Sequence, residues 1–246
     1  MYGYRWPELA DTNPVGPDKH ILISRYNHMS TIRKPTRLGG VPIDQSCHVC
    51  GFFRTNEEAY EVLMPFIKEG IEEGERALHI IDPSRLAGHR SRLEAAGIGL
   101  KTAEKNGQLE IVSWYDAHLR NNQFRQDAMI SFLKYALTQG REDGYPQTRL
   151  VANMEWSLEE WPGVQDLVEY EARVNYVLPK YGDPVICAYD LSKFSAAIIM
   201  NILRTHPMAI VGGILQSNPF YVPPNKFLLE LQGQRWRNDL TGNLRG

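Results

Sequence analysis

Six short apolar runs recur along the chain from residue 47 onward, and longer segments with a helical period separate them. The runs show no strict alternation of apolar and polar residues, a pattern typical of strands that are buried on both faces. We therefore predict six mainly parallel strands, at residues 47–53, 77–81, 109–114, 150–154, 185–189 and 208–215.

The segments between these runs begin and end like helices. Thr55 and Glu58 form a capping-box pattern before a first helix, which Pro65 should kink and which should end near Gly70 or Gly74. Ser84 can cap a second helix. Further helices are predicted around 127–140, around 164–178, and from Ser192 to Pro207. Strand and helix alternate five times, so we predict an α/β domain with a doubly wound, mostly parallel sheet and helices on both faces.

The two ends of the chain differ from this pattern. Residues 1–42 are rich in proline and lack sustained periodicity, so they are predicted to be an extended arm or leader. The domain is predicted over 43–230 and a polar tail over 231–246. Prolines hold residues 212–224 out of a helix, and this segment either protects the sheet edge or covers the cleft.

Composition narrows the class of protein. The 246 residues are 43% hydrophobic and 23% charged with a formal net charge of −2, which excludes disordered and coiled-coil chains and argues against direct nucleic-acid binding. Three cysteines, Cys47, Cys50 and Cys187, do not form a disulfide framework. They suggest a reducing compartment, and no apolar run is long enough to cross a bilayer, so we expect a cytoplasmic protein without membrane contact.

Acidic and aromatic residues follow the predicted strands. In parallel sheets ligands bind at the carboxyl ends of the strands, so these residues predict a polar-rimmed cleft with an apolar floor. An alternative is that acids such as Asp82 and Asp190 only cap the helices that follow them. The candidate ligand-binding residues are Phe53, Asp82, Trp114, Asp116, Glu155, Trp156 and Tyr189.

The turn after the first strand argues against a phosphate-binding loop. It contains neither glycine nor lysine, and Glu57 and Glu58 occupy the first turn of the helix, where a phosphate would otherwise find free N–H donors. No serine elbow is present either. We therefore predict no catalytic residues and no cofactor.

The cysteines and a nearby histidine leave a metal or redox role open. On a strand, His48 and Cys50 would share a face, and Cys187 could approach Cys50 if their strands were neighbours. A structural zinc site needs a second pair of ligands, and the chain has no second Cys-x-x-Cys. Buried packing is therefore the favoured role for these residues.

Taken together, these motifs resemble the MEDS domain, the methanogen/methylotroph, DcmR-type sensory domain. The resemblance spans residues 48–224. Families of this kind look like degenerate relatives of the RecA/KaiC-type ATPases, which implies a three-layer sandwich without a phosphate loop. The segments that carry the resemblance are 48–53 (HVCGFF), 63–70 (LMPFIKEG), 74–75, 81–83 (IDP), 154–156 (MEW), 169–175 (EYEARVN), 189–190, 204–207 (RTHP), 212–213 and 218–224 (NPFYVPP).

The resemblance implies a sensory module that binds small organic compounds such as hydrocarbon derivatives. Relatives carry it fused to a DNA-binding domain or a histidine kinase, and neither is evident here. We therefore expect a stand-alone, non-catalytic sensor for a largely apolar ligand, which signals through a separate regulator, a histidine kinase or a homo-oligomer. Two alternatives stay open: an interaction module with a vestigial cleft, and a RecA-like enzyme that binds nucleotide through a magnesium ion on Asp82 or Glu155.

Overall fold

The computed structural model describes residues 36–43 and 48–242, without the side chains of Arg120 and of residues 238–242. Most of the predicted arm lies outside the described residues, as do Cys47 and the last four residues. Residues 37–42 form a small antiparallel hairpin from β1 (Arg37–Leu38) and β2 (Val41–Pro42). Gly39 and Gly40 turn the hairpin with positive φ angles, and Leu38 is fully buried.

A seven-stranded sheet forms the centre of the domain. Its strand order is β5-β4-β6-β7-β3-β8-β9, and every strand except β9 runs parallel to its neighbours. This confirms the predicted α/β class with a mostly parallel sheet. The strands are β3 (His48–Phe53), β4 (Arg76–Ile81), β5 (Leu109–Ser113), β6 (Thr148–Asn153), β7 (Val185–Asp190), β8 (Met208–Val211) and β9 (Ile214–Ser217).

The sixth predicted strand was wrong in one respect. Gly212 and Gly213 adopt positive φ angles and break the run at 208–215 into a β8–β9 hairpin. Positive φ is accessible to glycine at little energetic cost, and the apolar pattern alone did not reveal this turn. As a result, β9 forms the antiparallel edge of the sheet.

Eight α-helices connect and flank the strands in the described residues. They are α1 (Asn56–Glu72), α2 (Leu86–Ala95), α3 (Leu100–Lys105), α4 (Trp114–Ala117), α5 (Gln126–Glu142), α6 (Leu167–Val174), α7 (Ala196–Thr205) and α8 (Pro224–Gly242). None of the helices in this part of the chain is long and apolar enough to span a membrane.

Local sequence signals explain where several helices begin. The Thr55 hydroxyl accepts a hydrogen bond of 3.1 Å from the Glu58 N–H, as the capping box predicts, and α1 runs through Pro65 without interruption. The predicted Ser84 cap was wrong: Asp82 caps a short 3-10 turn, Pro83–Arg85, that precedes α2. Pro224 does not keep the chain out of a helix but is the first residue of α8, where its missing N–H has no consequence.

The two faces of the sheet carry different helices. On β7, Ile186 and Ala188 belong to the hydrophobic cluster that includes Leu63 and Phe66 of α1. The alternate residue Tyr189 hydrogen-bonds to Glu171 of α6 on the other face. Helix α8 continues past residue 230, where the sequence placed the end of the domain, and that boundary stays a prediction.

Candidate functional site

The carboxyl ends of the parallel strands surround two cavities that share Glu155. The larger, of about 440 Å³, is lined on its apolar side by Trp114, Tyr115 and Leu158. The smaller, of about 20 Å³, lies at the ends of β3 and β7 beside the start of α1 and includes Phe53 and Tyr189. Asp82 lines the larger cavity. The structure therefore brings five predicted residues to one edge of the sheet, namely the edge at which the parallel strands have their carboxyl ends. These residues are Phe53, Asp82, Trp114, Glu155 and Tyr189.

Arg85 is the centre of a charge cluster at this edge. Its guanidinium nitrogens lie 3.6 Å from Asp82 Oδ2, 3.4 Å from Glu155 Oε1 and 3.6 Å from Asp190 Oδ2. Lys193 Nζ lies 4.0 Å from Glu155 Oε1 and 3.9 Å from Asp190 Oδ2. Three carboxylates thus face two cations, so the edge is acidic on balance.

Glu155 is the most unusual member of the cluster. Its side chain is only 4% exposed, and burial raises the pKa of its carboxyl group against the opposing effect of Arg85 and Lys193. One carboxylate oxygen, Oε1, faces these cations, whereas Oε2 is buried and has no hydrogen-bond partner among the described residues. A buried oxygen without a partner is energetically costly, so Glu155 Oε2 is an acceptor that the described protein groups leave unused.

Asp82 has the capping role that the sequence left open for it, since it caps the 3-10 turn before α2, whereas Asp190 fixes a turn and Ser195 caps the next helix, α7. Asp82 Oδ1 accepts hydrogen bonds from the backbone N–H and the hydroxyl of Ser84, at 2.9 and 2.7 Å. Asp190 Oδ1 makes the same two bonds to Ser192, at 3.0 and 2.6 Å. In both residues the second oxygen faces Arg85, so each aspartate fixes its loop and also orients the guanidinium.

Two predicted site residues lie elsewhere. Trp156 has no exposed surface and packs against His118 and Phe124, with ring centroids 4.6 and 4.3 Å away. The 3-10 turn Glu155–Leu158 causes this, because it directs adjacent side chains in different directions. Asp116 is exposed in the first turn of α4. Neither residue lines either cavity.

The sequence prediction missed the two cations. Arg85 and Lys193 stand three residues after Asp82 and Asp190, in two copies of an Asp-x-Ser-(Arg/Lys) pattern, DPSR and DLSK. Each copy follows a strand and places its cation within 4 Å of its own aspartate. This repeated pattern was visible in the sequence and could have identified both residues.

The first turn of α1 is closed by the protein's own side chains. Glu58 Oε2 accepts a hydrogen bond of 2.7 Å from the Arg54 N–H, and Thr55 Oγ1 accepts one from the Glu58 N–H. A phosphate at this helix terminus would meet the Glu58 carboxylate, and the N–H groups of Arg54 and Glu58 are already bonded.

A second polar cluster is buried on the α6 side of the sheet. Tyr189 donates a hydrogen bond of 2.8 Å to Glu171 Oε1. The other oxygen, Glu171 Oε2, lies close to His48, Cys187 and His206, and these side chains have little or no exposed surface. Each of the four offers one atom that could bind a metal ion, and these atoms all lie within 4.8 Å of one another.

Comparison with known proteins places the fold in a sensory family. The model of the family described as MEDS, the MEthanogen/methylotroph, DcmR Sensory domain, matches residues 47–207. A curated relative, the transcriptional repressor DcmR of Methylorubrum extorquens, is 27% identical over 174 residues. The alignment covers 70% of this chain but only 62% of the repressor, so over a third of that protein has no counterpart in the match.

Solved structures support the fold alone. A KaiC-like protein of Pyrococcus horikoshii OT3 superposes with a TM-score of 0.51 at 18% identity, covering 69% of this chain and 71% of its own. An uncharacterized protein of Pyrococcus horikoshii, solved in complex with an unknown peptide, gives a TM-score of 0.54 at 12% identity, covering 69% and 78%. These similarities confirm the predicted RecA/KaiC-like architecture.

Proposed function

Because the chain belongs to the MEDS family of DcmR-type sensory domains, we propose that it is a non-catalytic sensor that binds a small, largely apolar organic ligand. The ligand occupies the larger cavity at the carboxyl ends of the strands. The observation that carries this proposal is Glu155, which lines both cavities and whose Oε2 is a buried acceptor without a hydrogen-bond partner in the described part of the chain.

The cavity favours a particular class of ligand. Its volume of about 440 Å³ falls within the range of roughly 300–1,000 Å³ common for small-molecule sites. Trp114, Tyr115 and Leu158 supply apolar contact area, and Glu155 selects a molecule with one hydrogen-bond donor. The excess of carboxylates around Arg85 disfavours anions. We therefore expect a neutral or cationic hydrocarbon derivative with a hydroxyl, amide or amine group.

The nucleotide-binding alternative has less support. Glu57 and Glu58 stand in the first turn of α1, and the carboxylates of Asp82, Glu155 and Asp190 would repel a triphosphate. The similarity to a transcriptional repressor favours a regulatory role instead. Ligand binding can signal only if it favours one conformation or assembly, and the receiver would be a separate regulator, a histidine kinase or a second copy of the chain.

A comparison of matched ligands tests the proposal. Small alcohols, amides and amines are screened by thermal shift, and each hit is compared by calorimetry with an analogue of the same size that lacks the donor, such as an ether for an alcohol. A hydrogen bond to a charged acceptor contributes about 1.5–3 kcal/mol, so the donor compound should bind at least about tenfold more tightly.

Two variants provide the controls. Glu155→Met removes the acceptor at similar length and should abolish the difference between donor and ether, whereas Asp116→Asn, outside both cavities, should leave it unchanged. Equal binding of both compounds, or a preference that survives Glu155→Met, would contradict the proposed site.

A second candidate is an interaction module whose cleft is vestigial. The smaller cavity of about 20 Å³ favours it, since this volume holds about one water molecule and the surrounding side chains fill the rest. Under this hypothesis no compound in the screen would raise the melting temperature of the wild type or of Glu155→Met.

A further inference from the structure

Four buried side chains from separate parts of the chain meet on the α6 face of the sheet. We call His48, Glu171, Cys187 and His206 the His/Glu/Cys cluster. His48 Nε2 lies 3.2 Å and His206 Nε2 lies 3.4 Å from Glu171 Oε2. Cys187 Sγ lies 3.6 Å from His48 Nε2 and 3.7 Å from Glu171 Oε2. The cluster joins β3, β7, α6 and the residue after α7.

The surroundings fix which ring nitrogen of each histidine carries the proton. His206 Nδ1 lies 2.9 Å from the Ile202 carbonyl oxygen, which can only accept, and 3.0 Å from Thr205 Oγ1. Because the Thr205 hydroxyl donates to the same carbonyl, Nδ1 is assigned as the donor. Asn175 Nδ2 donates to three backbone carbonyls, of Glu171, Ala172 and Thr205. Its Oδ1 therefore faces His48 Nδ1, at 3.2 Å, and accepts a hydrogen bond from it. In their neutral forms both histidines consequently direct the lone pair of Nε2 into the cluster.

This arrangement directs two histidine lone pairs at a buried carboxylate oxygen, toward which the Cys187 thiol points from 3.7 Å as a weak donor. Two Nε2 lone pairs face Glu171 Oε2, and His206 Nε2 forms no hydrogen bond. Glu171 is fully buried, and its close ionic partners in the described residues are these two histidines. A buried carboxylate needs a positive partner, and a metal ion between the four atoms provides it.

Four of the six distances between these atoms match a tetrahedral metal, and the other two, which involve His206 Nε2, are no longer than 4.8 Å. Typical zinc bonds of about 2.0 Å to nitrogen and oxygen and 2.3 Å to sulfur place adjacent ligand atoms roughly 3.3–3.6 Å apart. The contacts given above range from 3.2 to 3.7 Å. The outer contacts also fit, because metal-binding histidines usually donate their second N–H to a carbonyl or amide oxygen, and Tyr189 donates to the second oxygen of Glu171.

We propose that His48, Glu171, Cys187 and His206 form a structural zinc site. Zn²⁺ displaces the thiol proton of Cys187, which leaves to solvent, and no other bond or oxidation state changes. The thiolate and the Glu171 carboxylate then balance the two charges of the ion, and both histidines bind as neutral ligands through Nε2. Four protein ligands complete the coordination, so no position is left for a substrate.

The zinc site would stabilise the strands whose carboxyl ends form the cleft. Tyr189 connects the two, since it lines the smaller cavity and its hydroxyl holds Glu171. Zinc would also hold the start of β3 against β7 and α6, although β3 is far from both of them in the sequence. The zinc proposal does not depend on the proposed function, because a metal site can exist whether or not the cleft binds a ligand.

Metal analysis of the full chain tests the proposal. Protein expressed with zinc supplementation should contain about one zinc per chain after gel filtration. Protein grown with cobalt instead should show the visible bands of tetrahedral Co²⁺ and a thiolate-to-cobalt charge-transfer band. Cys187→Ala should remove the charge-transfer band and weaken zinc retention against a chelator at least tenfold.

The matched control is Cys50→Ala, which removes the cysteine beside Cys187 in the sheet register. This variant should keep both the metal and the charge-transfer band. If the folded wild-type protein does not contain stoichiometric zinc, the proposal is wrong. A protonated histidine pair would then balance the charge of the Glu171 carboxylate instead. A charge-transfer band that persists in Cys187→Ala, or a different native metal on these residues, would overturn the assignment of ligands or of zinc.

Discussion

Replacement of Trp156 by alanine should destabilise the fold strongly, although the sequence placed this residue in the cleft. The indole is fully buried and contacts His118 in a stacked geometry with an interplanar angle of 14°, and it also contacts Phe124. Removing a buried Trp side chain costs about 3–5 kcal/mol. The lost ring contacts add to this, whereas the loss of the unpartnered indole N–H offsets part of it. We expect a decrease of about 4 kcal/mol in the free energy of unfolding.

Urea denaturation followed by far-UV circular dichroism measures this effect without relying on tryptophan fluorescence. For a domain of this size, the expected decrease corresponds to a melting temperature lower by about 12 °C. Trp236→Ala is the matched control, since Trp236 is 73% exposed on α8 and should change stability by less than about 0.5 kcal/mol. A decrease below about 1 kcal/mol in Trp156→Ala would refute the core placement of this residue.

Three further predictions concern other parts of the domain. Burial, followed by the nearby Arg90 charge, lowers the pKa of His89 from 6.5 to about 4, so the unfolded chain takes up its proton first as the pH falls. The free energy of unfolding should therefore fall as the pH decreases from 6.5 to 4. Urea denaturation at several pH values should show a fall that is smaller by about 3 kcal/mol in His89→Gln than in the wild type. Identical profiles for the two proteins would contradict the low pKa of His89. Gly70→Ala should lower the melting temperature, because the new Cβ would lie 2.6 Å from Cδ of buried Arg149. Gly88→Ala in α2 should raise the melting temperature, because its Cβ meets no described atom within 4 Å and alanine favours a helix. The opposite order in a thermal melt would contradict the packing around Gly70. Millimolar Mg-ATP should leave the backbone amide signals of residues 55–58 in NMR spectra unchanged, and their displacement would show that the first turn of α1 does bind phosphate.

Most of the sheet could be predicted from the sequence because buried parallel strands have a distinctive composition. Strands β4 to β7 differ from their predicted bounds by at most two residues at either end, and the Thr55–Glu58 signal identified the start of α1. The β8–β9 hairpin could not be recognised from hydrophobicity, since its turn depends on two glycines inside an apolar run.

The candidate site was harder to predict for a geometric reason. Residues that follow strands do lie at one edge of the sheet, as Asp82 and Glu155 show, but the direction of each side chain depends on the turn that carries it. The 3-10 turn after β6 leaves Glu155 in the cleft and buries its neighbour Trp156 in the core. In the His/Glu/Cys cluster, His48 lies more than 120 positions before the other three residues, and no local motif links it to Glu171 and His206.

The central claim is that a small molecule binds in the strand-end cavity against Trp114 and Glu155. Indole N–H signals in ¹H–¹⁵N NMR spectra locate the binding site directly, once each signal is assigned by a Trp→Phe variant. A donor-bearing compound from the screen should shift the Trp114 signal in the wild type at a concentration about tenfold lower than in Glu155→Met, and it should leave the exposed Trp236 signal unchanged. An unmoved Trp114 signal at a saturating concentration of a compound that stabilises the protein would contradict the account.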